Sequence, residues 1–327
     1  MNRSDNIIKR WVKCLLALYE KSSIWNVVFF SFTISAALAI LLIGISLYSR
    51  FSQQMEYLIR EENQALIVQA NKTLDSYLRN LMKVSDTLYY SVIKNKDLYQ
   101  EPVTEEFQLL YDANKDYIEN IVLFTGDGEL IETAPAAKLK ANVDPSEQEW
   151  FTAAMSRSEN IHFSTPKLQN LFVKNDGQYR WVISVSRAVE ITRGREISQG
   201  VLLMDIRYDM IEQVFDNISL GNNGYTYLVD REGTYIYHPK MQLIASGAYQ
   251  DSILDASDLQ DGNYEEIFQG EKRNITIKSV GYTGWKIVGV TPAAASWSRP
   301  TSGIRDRLFI VFLAAFFMYL LFVVNSY

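Results

Sequence analysis

The chain has 327 residues, of which 48% are hydrophobic and 21% are charged. This balance excludes a disordered or collagen-like chain and leaves room for about two folded domains. The net charge of −6 disfavours a dedicated nucleic-acid binder, since phosphate contacts need clustered Lys and Arg. With one cysteine, Cys14, and two histidines, His162 and His238, an intramolecular disulfide, a CxxC zinc site and a His-rich metal site are also excluded.

Two runs without any charged residue lie near the ends of the chain, at residues 22–49 and 308–327. A bilayer-spanning helix needs about 20 mostly apolar residues, so each run is predicted to be a transmembrane helix. The longer run is too long to fit the alternative of a buried core helix. Residues 1–21 carry five basic and two acidic side chains, which predicts a cytoplasmic N-terminus. Residues 50–307 are therefore expected outside the cell membrane, between the two spans.

From Arg50 to about Lys96, apolar side chains recur every three or four residues, with no Gly or Pro. This spacing predicts a long amphipathic helix that continues from the first charge-free run. At about 45 residues it would extend about 65 Å, so it can serve as a spine for more than one domain. A coiled-coil stalk is the alternative, but the mixed polar and aromatic face favours packing against a sheet.

After Pro102 the pattern changes to short strands separated by turns. The expected elements are a hairpin at 117–133 with its turn at 126–128, a short helix through Trp150 and Phe151, strands at 161–164, 180–189 and 200–206, and a helix at 208–215. In the strand at 180–189, Trp181 and Ile183 point to one face and Ser184 points to the other.

A second, smaller unit begins near Gly221, with strands expected at 225–229, 234–238, 274–280 and 285–290. The segment Leu123–Ile131 is similar to Leu228–Ile236, because each has an acidic residue and a Gly in the turn of a hairpin. This weak internal repeat, at a separation of 105 residues, predicts two copies of one α+β unit.

Taken together, these pieces resemble the double Cache sensor domains of bacterial transmembrane receptors, over about residues 50–300. The most specific piece is Gly224–Pro239, with its Asp-x-x-Gly turn and His-Pro ending. Other similar pieces are Asp144-Pro145 with Glu149-Trp150-Phe151, Ile183–Arg187, Gly200–Asp205 and Gly284–Val288. The resemblance implies an α+β fold, in which a long spine helix carries two tandem PAS-like antiparallel-sheet units, a membrane-distal one at about 100–205 and a membrane-proximal one at about 220–292.

The resemblance also implies a small-ligand site in the distal unit. Amino-acid-binding members of the family use a Tyr, an Arg two residues before a Trp, a further aromatic residue, and an Asp at the end of a later strand. Gln148 stands where the Arg would be, and this disfavours free amino acids because the Arg would clamp a carboxylate. An amine or a sugar hydroxyl remains a fitting partner for the Asp. The expected pocket consists of Trp150, Phe151, Trp181, Ser184 and Asp205. The alternatives are that Trp150 only caps the core of the unit, that Asp205 simply ends a strand and that Ser184 faces solvent.

The family further implies a membrane-anchored ligand sensor that signals through its helices as a homodimer. The helix around Asn71–Tyr77 most resembles sensor histidine kinases of low-GC Gram-positive bacteria, whose output domains this chain lacks. No enzymatic activity, catalytic residue, cofactor or metal is expected. The expected partners are the membrane and a small extracytoplasmic ligand or a solute-binding protein, with no nucleic acid. Alternatives are a membrane adaptor or structural protein that binds another extracytoplasmic protein, or the sensor of a chemoreceptor or of a cyclic-nucleotide signalling protein.

Overall fold

The structure is a computed structural model that describes residues 24–94, 96–156, 161–173, 180–221, 223–251 and 260–292, together with Arg307 and Ile310. The chain divides into two compact units. One is formed by the two ends of the chain, and the other extends from Ile59 to Ser296 and contains both β-sheets.

A long helix, α1 (Ile24–Asp86), continues into a π-helical segment (Thr87–Ile93). The predicted spine helix is therefore confirmed, although its last two turns are wound more widely than an α-helix. Its buried side chains recur at intervals of three or four residues, as the amphipathic pattern requires. They are Ile67, Ala70, Leu74, Leu78, Leu81, Val84 and Leu88.

Among the residues that the structure describes, no helix has both the length and the apolar content that a membrane crossing needs. The predicted span at residues 22–49 is therefore not confirmed as a span. The predicted span at residues 308–327 falls, apart from Ile310, outside the described residues.

The first sheet is antiparallel and consists of β1 (Ile118–Thr125), β2 (Leu130–Ala134), β3 (His162–Phe163), β4 (Lys167–Leu168), β5 (Trp181–Arg193) and β6 (Glu196–Arg207). In the described part of the chain the spatial order is β2-β1-β6-β5-β3, and β4 also pairs with β5. Three helices accompany or follow this sheet, namely α2 (Thr104–Asn114), α3 (Glu149–Ser156) and α4 (Tyr208–Asp216).

The second sheet is also antiparallel and consists of β7 (Tyr225–Val229), β8 (Tyr235–Tyr237), β9 (Gly262–Phe268), β10 (Glu271–Ser279) and β11 (Lys286–Pro292). Its spatial order is β8-β7-β11-β10-β9. A short helix, α5 (Met241–Ala245), follows β8. The two sheets have the same strand order when the strands of each sheet are numbered along the chain. Each order begins with the second strand of that sheet and continues with its first, its last and its penultimate strand. This shared order confirms the predicted repeat of one α+β unit.

The two edge hairpins share their turn geometry as well as their position. Gly128 and Gly233 have φ angles of 88° and 84°, a region that residues with a Cβ rarely adopt. The amide of Gly128 donates to the carbonyl of Thr125, and the amide of Gly233 donates to the carbonyl of Asp230. The acidic-Gly signature of the sequence therefore corresponds to the same tight turn in both sheets.

One hydrophobic core lies between α1 and the two sheets. It joins the buried face of α1 to Ile121, Leu123, Ile183 and Leu202 of the first sheet, and to Leu228, Ile236, Trp285 and Ile287 of the second sheet or its flanks. The opposite face of the first sheet has its own smaller core, which α3 covers with Trp150 and Phe151. The first sheet is thus covered on both faces, by α1 on one and by α3 on the other.

Some elements were not predicted from the sequence. The hairpin of β5 and β6 is longer than expected, because paired residues continue to Arg193 and Glu196 around a glycine turn. Helix α2, the two-residue strand β4, helix α5 and strand β9 were missed. Strand β4 is too short to show any periodicity, and β9 alternates between half-buried and exposed side chains, so its apolar signal is weak.

We predict that Leu74→Ala lowers the free energy of unfolding by about 3 kcal/mol, because it opens a cavity in the core that both sheets share. The matched control is Ser76→Ala, two residues away on the exposed side of the same helix, for which we expect a change within about 0.5 kcal/mol. Chemical denaturation of both variants measures the difference. Equal effects would contradict the placement of Leu74 in the core.

Candidate ligand-binding site

Three buried polar side chains form a row across three neighbouring strands of the first sheet. Asp205 on β6 lies directly opposite Ser184 on β5 and opposite Asn120 on β1. Its Oδ1 accepts a hydrogen bond from Ser184 Oγ at 2.6 Å, and its Oδ2 accepts one from Asn120 Nδ2 at 3.0 Å. Because directly paired residues of a sheet share a face, the three groups point to the side that α3 covers.

Helix α3 brings the two expected aromatic residues to this face. The ring centroids of Trp150 and Phe151 lie 5.7 Å apart, and Phe124 of β1 lies 5.7 Å from Trp150. Ser186, two residues after Ser184 on β5, donates to the carbonyl of Trp150 at 2.7 Å and ties the helix to the sheet. A short 3-10 turn, Pro145–Glu147, precedes α3. Asp144 caps this turn, because its Oδ1 accepts a hydrogen bond from the amide of Ser146 at 2.9 Å.

The structure therefore places Trp150, Phe151, Ser184 and Asp205 on the same face, but not Trp181. Trp181 is the first residue of β5, and its side chain is 55% exposed. By strand alternation it shares a face with Ile183 and not with Ser184. It does not line the same site as the other four residues.

Two charged groups of opposite sign meet at this face. Burial raises the pKa of Asp205, and the hydrogen bond from Ser184, the nearby Lys167 and the bond from Asn120 offset part of that rise. Burial lowers the pKa of Lys167, against the attraction of Asp205 and Glu149. The Lys167 Nζ lies 5.5 Å from the centre of the Trp150 ring. Lys167 was not among the predicted site residues, because it lies in the two-residue strand β4.

Several polar atoms near this row have no hydrogen-bond partner within the described part of the chain. They are the indole Nε1 of Trp150, the Oδ1 of Asn120 and both amide atoms of Gln169. Gln169 follows β4 two residues after Lys167 and is almost fully buried. Buried polar groups are nearly always paired in native proteins, so such a concentration is typical of a face that binds a polar ligand.

A second buried carboxylate, Asp251, lies beside the second sheet and differs in its partners. It accepts hydrogen bonds from Tyr225 Oη at 2.6 Å and from Arg273 at 2.7 Å, and His238 Nε2 lies 3.2 Å away. Burial pushes the pKa of Asp251 upward, but these bonds outweigh it and hold the pKa well below its usual range. The bonds that Asp251 accepts favour its charged form, as expected for a structural group.

The two carboxylates therefore have opposite electrostatic balances. Asp205 has two neutral donors and a nearby cation, Lys167, whose pKa is lowered by burial, whereas Asp251 has a guanidinium directly bonded to it. His238, expected from the sequence to support the hairpin, accepts from the amide of Lys240 at its Nδ1 and so has a structural position. Within the described residues, no group of three or more His, Cys, Asp and Glu side chains is arranged to hold a metal ion.

Comparison with known proteins identifies the family. A model of the Cache domain, dCache_1, matches residues 51–299, which is most of the chain. The chain belongs to the Cache-domain family. The double-unit fold expected from the sequence resemblance is confirmed by this match and by the two repeated sheets.

Curated relatives of this Cache-domain chain are chemotaxis receptors. The methyl-accepting chemotaxis protein TlpB of Bacillus subtilis is 23% identical over 266 residues, covering 78% of this chain and 38% of the relative. McpB of the same organism is 24% identical over 282 residues, covering 85% of this chain and 40% of the relative. The chain thus spans about two fifths of their length. These relatives support the chemoreceptor alternative better than the expected similarity to histidine kinases.

Solved structures of chemoreceptor ligand-binding domains share the fold of this Cache-domain chain. The domain of PctB from Pseudomonas aeruginosa, in complex with L-Gln, superposes with a TM-score of 0.54 at 17% identity, covering 77% of this chain and 98% of that domain. The domain of CtaA from Pseudomonas fluorescens, in complex with L-alanine, has a TM-score of 0.53 at 20% identity, covering 74% of this chain and all of that domain.

The contrast between the two buried carboxylates predicts opposite pH dependences for their isosteric variants. The raised pKa of Asp205 means that its contribution to stability is present below the unfolded-state value of about 3.9 and is lost as the pH rises through the folded value. The lowered pKa of Asp251 means that its contribution is present above about 3.9 and is lost as the pH falls.

We therefore expect the stability of Asp205→Asn, relative to the unmodified protein, to increase from pH 4 towards pH 8. The relative stability of Asp251→Asn should change little over that interval and should increase as the pH falls below about 4, where the unmodified protein loses the Asp251 contribution. Urea denaturation at several pH values measures both slopes, and each variant is the control for the other. Parallel slopes would contradict the assigned electrostatic balance.

Proposed function

We propose that this chain is the ligand-sensing part of a chemotaxis receptor and that the face around Asp205 binds a small zwitterion of the amino-acid class. The site would use Asp205, Ser184 and Asn120 on the sheet, Lys167 on β4, and Trp150 with Phe151 on α3. No catalytic step is involved, since recognition here consists of charge pairing and hydrogen bonding.

The observation that carries this proposal is the closeness of an acidic and a basic side chain, Asp205 and Lys167, at one face of the sheet. Asp205 is a buried carboxylate and Lys167 is a cation whose attraction partly offsets the raised pKa of Asp205, so in the proposed complex Asp205 would pair with an α-ammonium group and Lys167 with a carboxylate. The sequence disfavoured free amino acids, because Gln148 stands in the position expected for an Arg. We propose that Lys167 of β4 supplies the positive charge that Gln148 cannot supply. The aromatic rings of α3 provide an apolar wall for a ligand side chain.

Two further observations support the ligand class and the receptor type. Solved neighbours with this fold were determined in complex with free amino acids, among them L-Gln and L-alanine. The curated relatives are methyl-accepting chemotaxis proteins, so we propose a chemotaxis output in preference to a histidine kinase. An adaptor that binds another protein outside the cell is the less supported alternative, because it leaves the buried charge pair without a role.

The proposed location is extracytoplasmic, with residues 50–307 outside the cell membrane and the charge-free runs at 22–49 and 308–327 as anchors. The asymmetry of basic residues before the first run supports this orientation. We also propose a homodimer in which α1 forms the contact, since a helix that continues from the sensing unit towards the anchor is the element that can transmit a change.

The test is a set of thermal melts of the full chain with each common L-amino acid as a probe. A ligand that binds only the folded state raises the melting temperature in a saturable way, and we expect this for at least one amino acid. Asp205→Asn and Lys167→Met should each weaken that binding at least about tenfold, because each removes a charged hydrogen-bonding partner.

The matched control is Asp116→Asn, which removes one carboxylate in an exposed turn of the same unit and should leave binding unchanged. Equal binding by the unmodified protein and Asp205→Asn would refute the proposed site. The absence of a saturable shift with every amino acid would refute the ligand class.

A further inference from the structure

A cavity of about 340 Å³ lies between the π-helical segment and the strands β5 and β6. It is on the α1 side of the first sheet, whereas the Asp205 face is on the α3 side. Its volume falls in the range of small-ligand pockets, which begins at about 300 Å³. The π-helical segment Thr87–Ile93 contributes Tyr89 and Tyr90 to the lining, and π-helical segments are rare and frequently occur at functional sites.

The base of the cavity is formed by a buried guanidinium. Arg187 is 5% exposed, and its Nη1 donates to Asp86 Oδ1 at 2.7 Å. Its guanidinium carbon lies 4.9 Å from the ring centre of Tyr89. Its Nε–H is buried and has no hydrogen-bond partner among the described residues. An unpaired buried donor is costly, so the bond to Asp86 does not satisfy the whole guanidinium, and Arg187, which lines the cavity, is a fitting partner for an anion there.

The charge of the lining favours an anion. Lys94 follows the π-helical segment, and its Nζ lies 5.7 Å from the ring centres of both Tyr89 and Tyr90. Of the lining residues that the structure describes, Arg187 and Lys94 are basic and Glu190 is acidic. The carboxylate of Asp86 neutralises part of the Arg187 charge. Lys94 forms no ion pair within the described part of the chain, so no carboxylate there neutralises its charge.

Two exposed hydrophobic side chains, Tyr90 and Ile197, form one wall of the cavity lining. The side chain of Tyr90 is 53% exposed and that of Ile197 is 65% exposed, both on the lining. An aromatic ring beside a guanidinium suits a planar body that stacks and a planar anion that accepts in-plane donors. A compact spherical anion would use the charges but leave this wall without a contact.

We propose that this cavity is a second ligand site, which binds a small aromatic carboxylate. The carboxylate accepts from Arg187 and Lys94, and the ring packs on Tyr90 and Ile197. Because the lining includes residues at the end of the spine helix, occupancy acts on α1 directly and not through the sheet. The site is separate from the Asp205 face and does not depend on what binds there.

The experiment uses benzoate as the probe and calorimetric titration of the full chain as the measurement. We expect saturable binding of benzoate and none of benzamide, its neutral counterpart of the same shape. Lys94→Gln and Arg187→Lys should each weaken benzoate binding about tenfold, because one removes a charge and the other removes the planar fork. Glu190→Gln should strengthen it about twofold by removing a like charge.

Two controls make the result specific to this cavity. Lys83→Gln removes the same charge from an exposed position of α1 and should leave benzoate binding unchanged. Asp205→Asn should also leave it unchanged, since Asp205 is on the other face of the sheet. The proposal is overturned if benzoate fails to bind, if benzamide binds equally well, or if Lys94→Gln and Lys83→Gln have the same effect.

Discussion

The structure depends on one apolar stripe along α1. Side chains from Ile67 to Leu88 face a core to which both sheets contribute, so neither sheet can bury its inner face without the helix. An antiparallel sheet that is solvated on its inner face would lose the burial that offsets its conformational entropy. Gly289 of β11 shows how close the contact is, because a Cβ there would lie 2.3 Å from the Ile67 side chain. The spine helix is therefore part of the fold around both sheets and not only a connection to them.

This arrangement gives the first sheet two different faces. The face towards α1 is apolar over most of its area, and the polar row of Asn120, Asp205 and Ser184 lies on the other face. A ligand on that row can influence α1 only through the sheet, whose strands are packed on the spine. Such coupling requires that the ligand binds one arrangement of the sheet better than another. We propose that Asp205 supplies that difference, because a cationic ligand group would change the cost of burying its charge.

Much of the fold was predictable from the sequence, because its strongest signals are local. The period of α1, the acidic-Gly hairpins and the apolar strands each occupy one continuous segment. Asp205 and Trp150 were also recognisable, through motifs of the family. Asn120 was not recognisable from the sequence. Every residue of β1 is buried, so the pattern of β1 does not distinguish a residue of the polar row from a residue of the core. Lys167 was missed because a two-residue strand carries no periodic signal. Trp181 was assigned to the pocket although its alternation with Ser184 already placed it on the other face.

The central claim is that residues 63–84 of α1 and both sheets form one cooperative body. Native-state hydrogen exchange of the full chain tests it most directly, because it measures the opening free energy of each amide. The account predicts that amides of α1 between Asn63 and Val84 exchange with the same free energy as those at the centres of β6 and β11. If this part of α1 or one of the sheets opened at a clearly lower free energy than the rest, the shared core would not hold the two sheets together. That result would contradict the account.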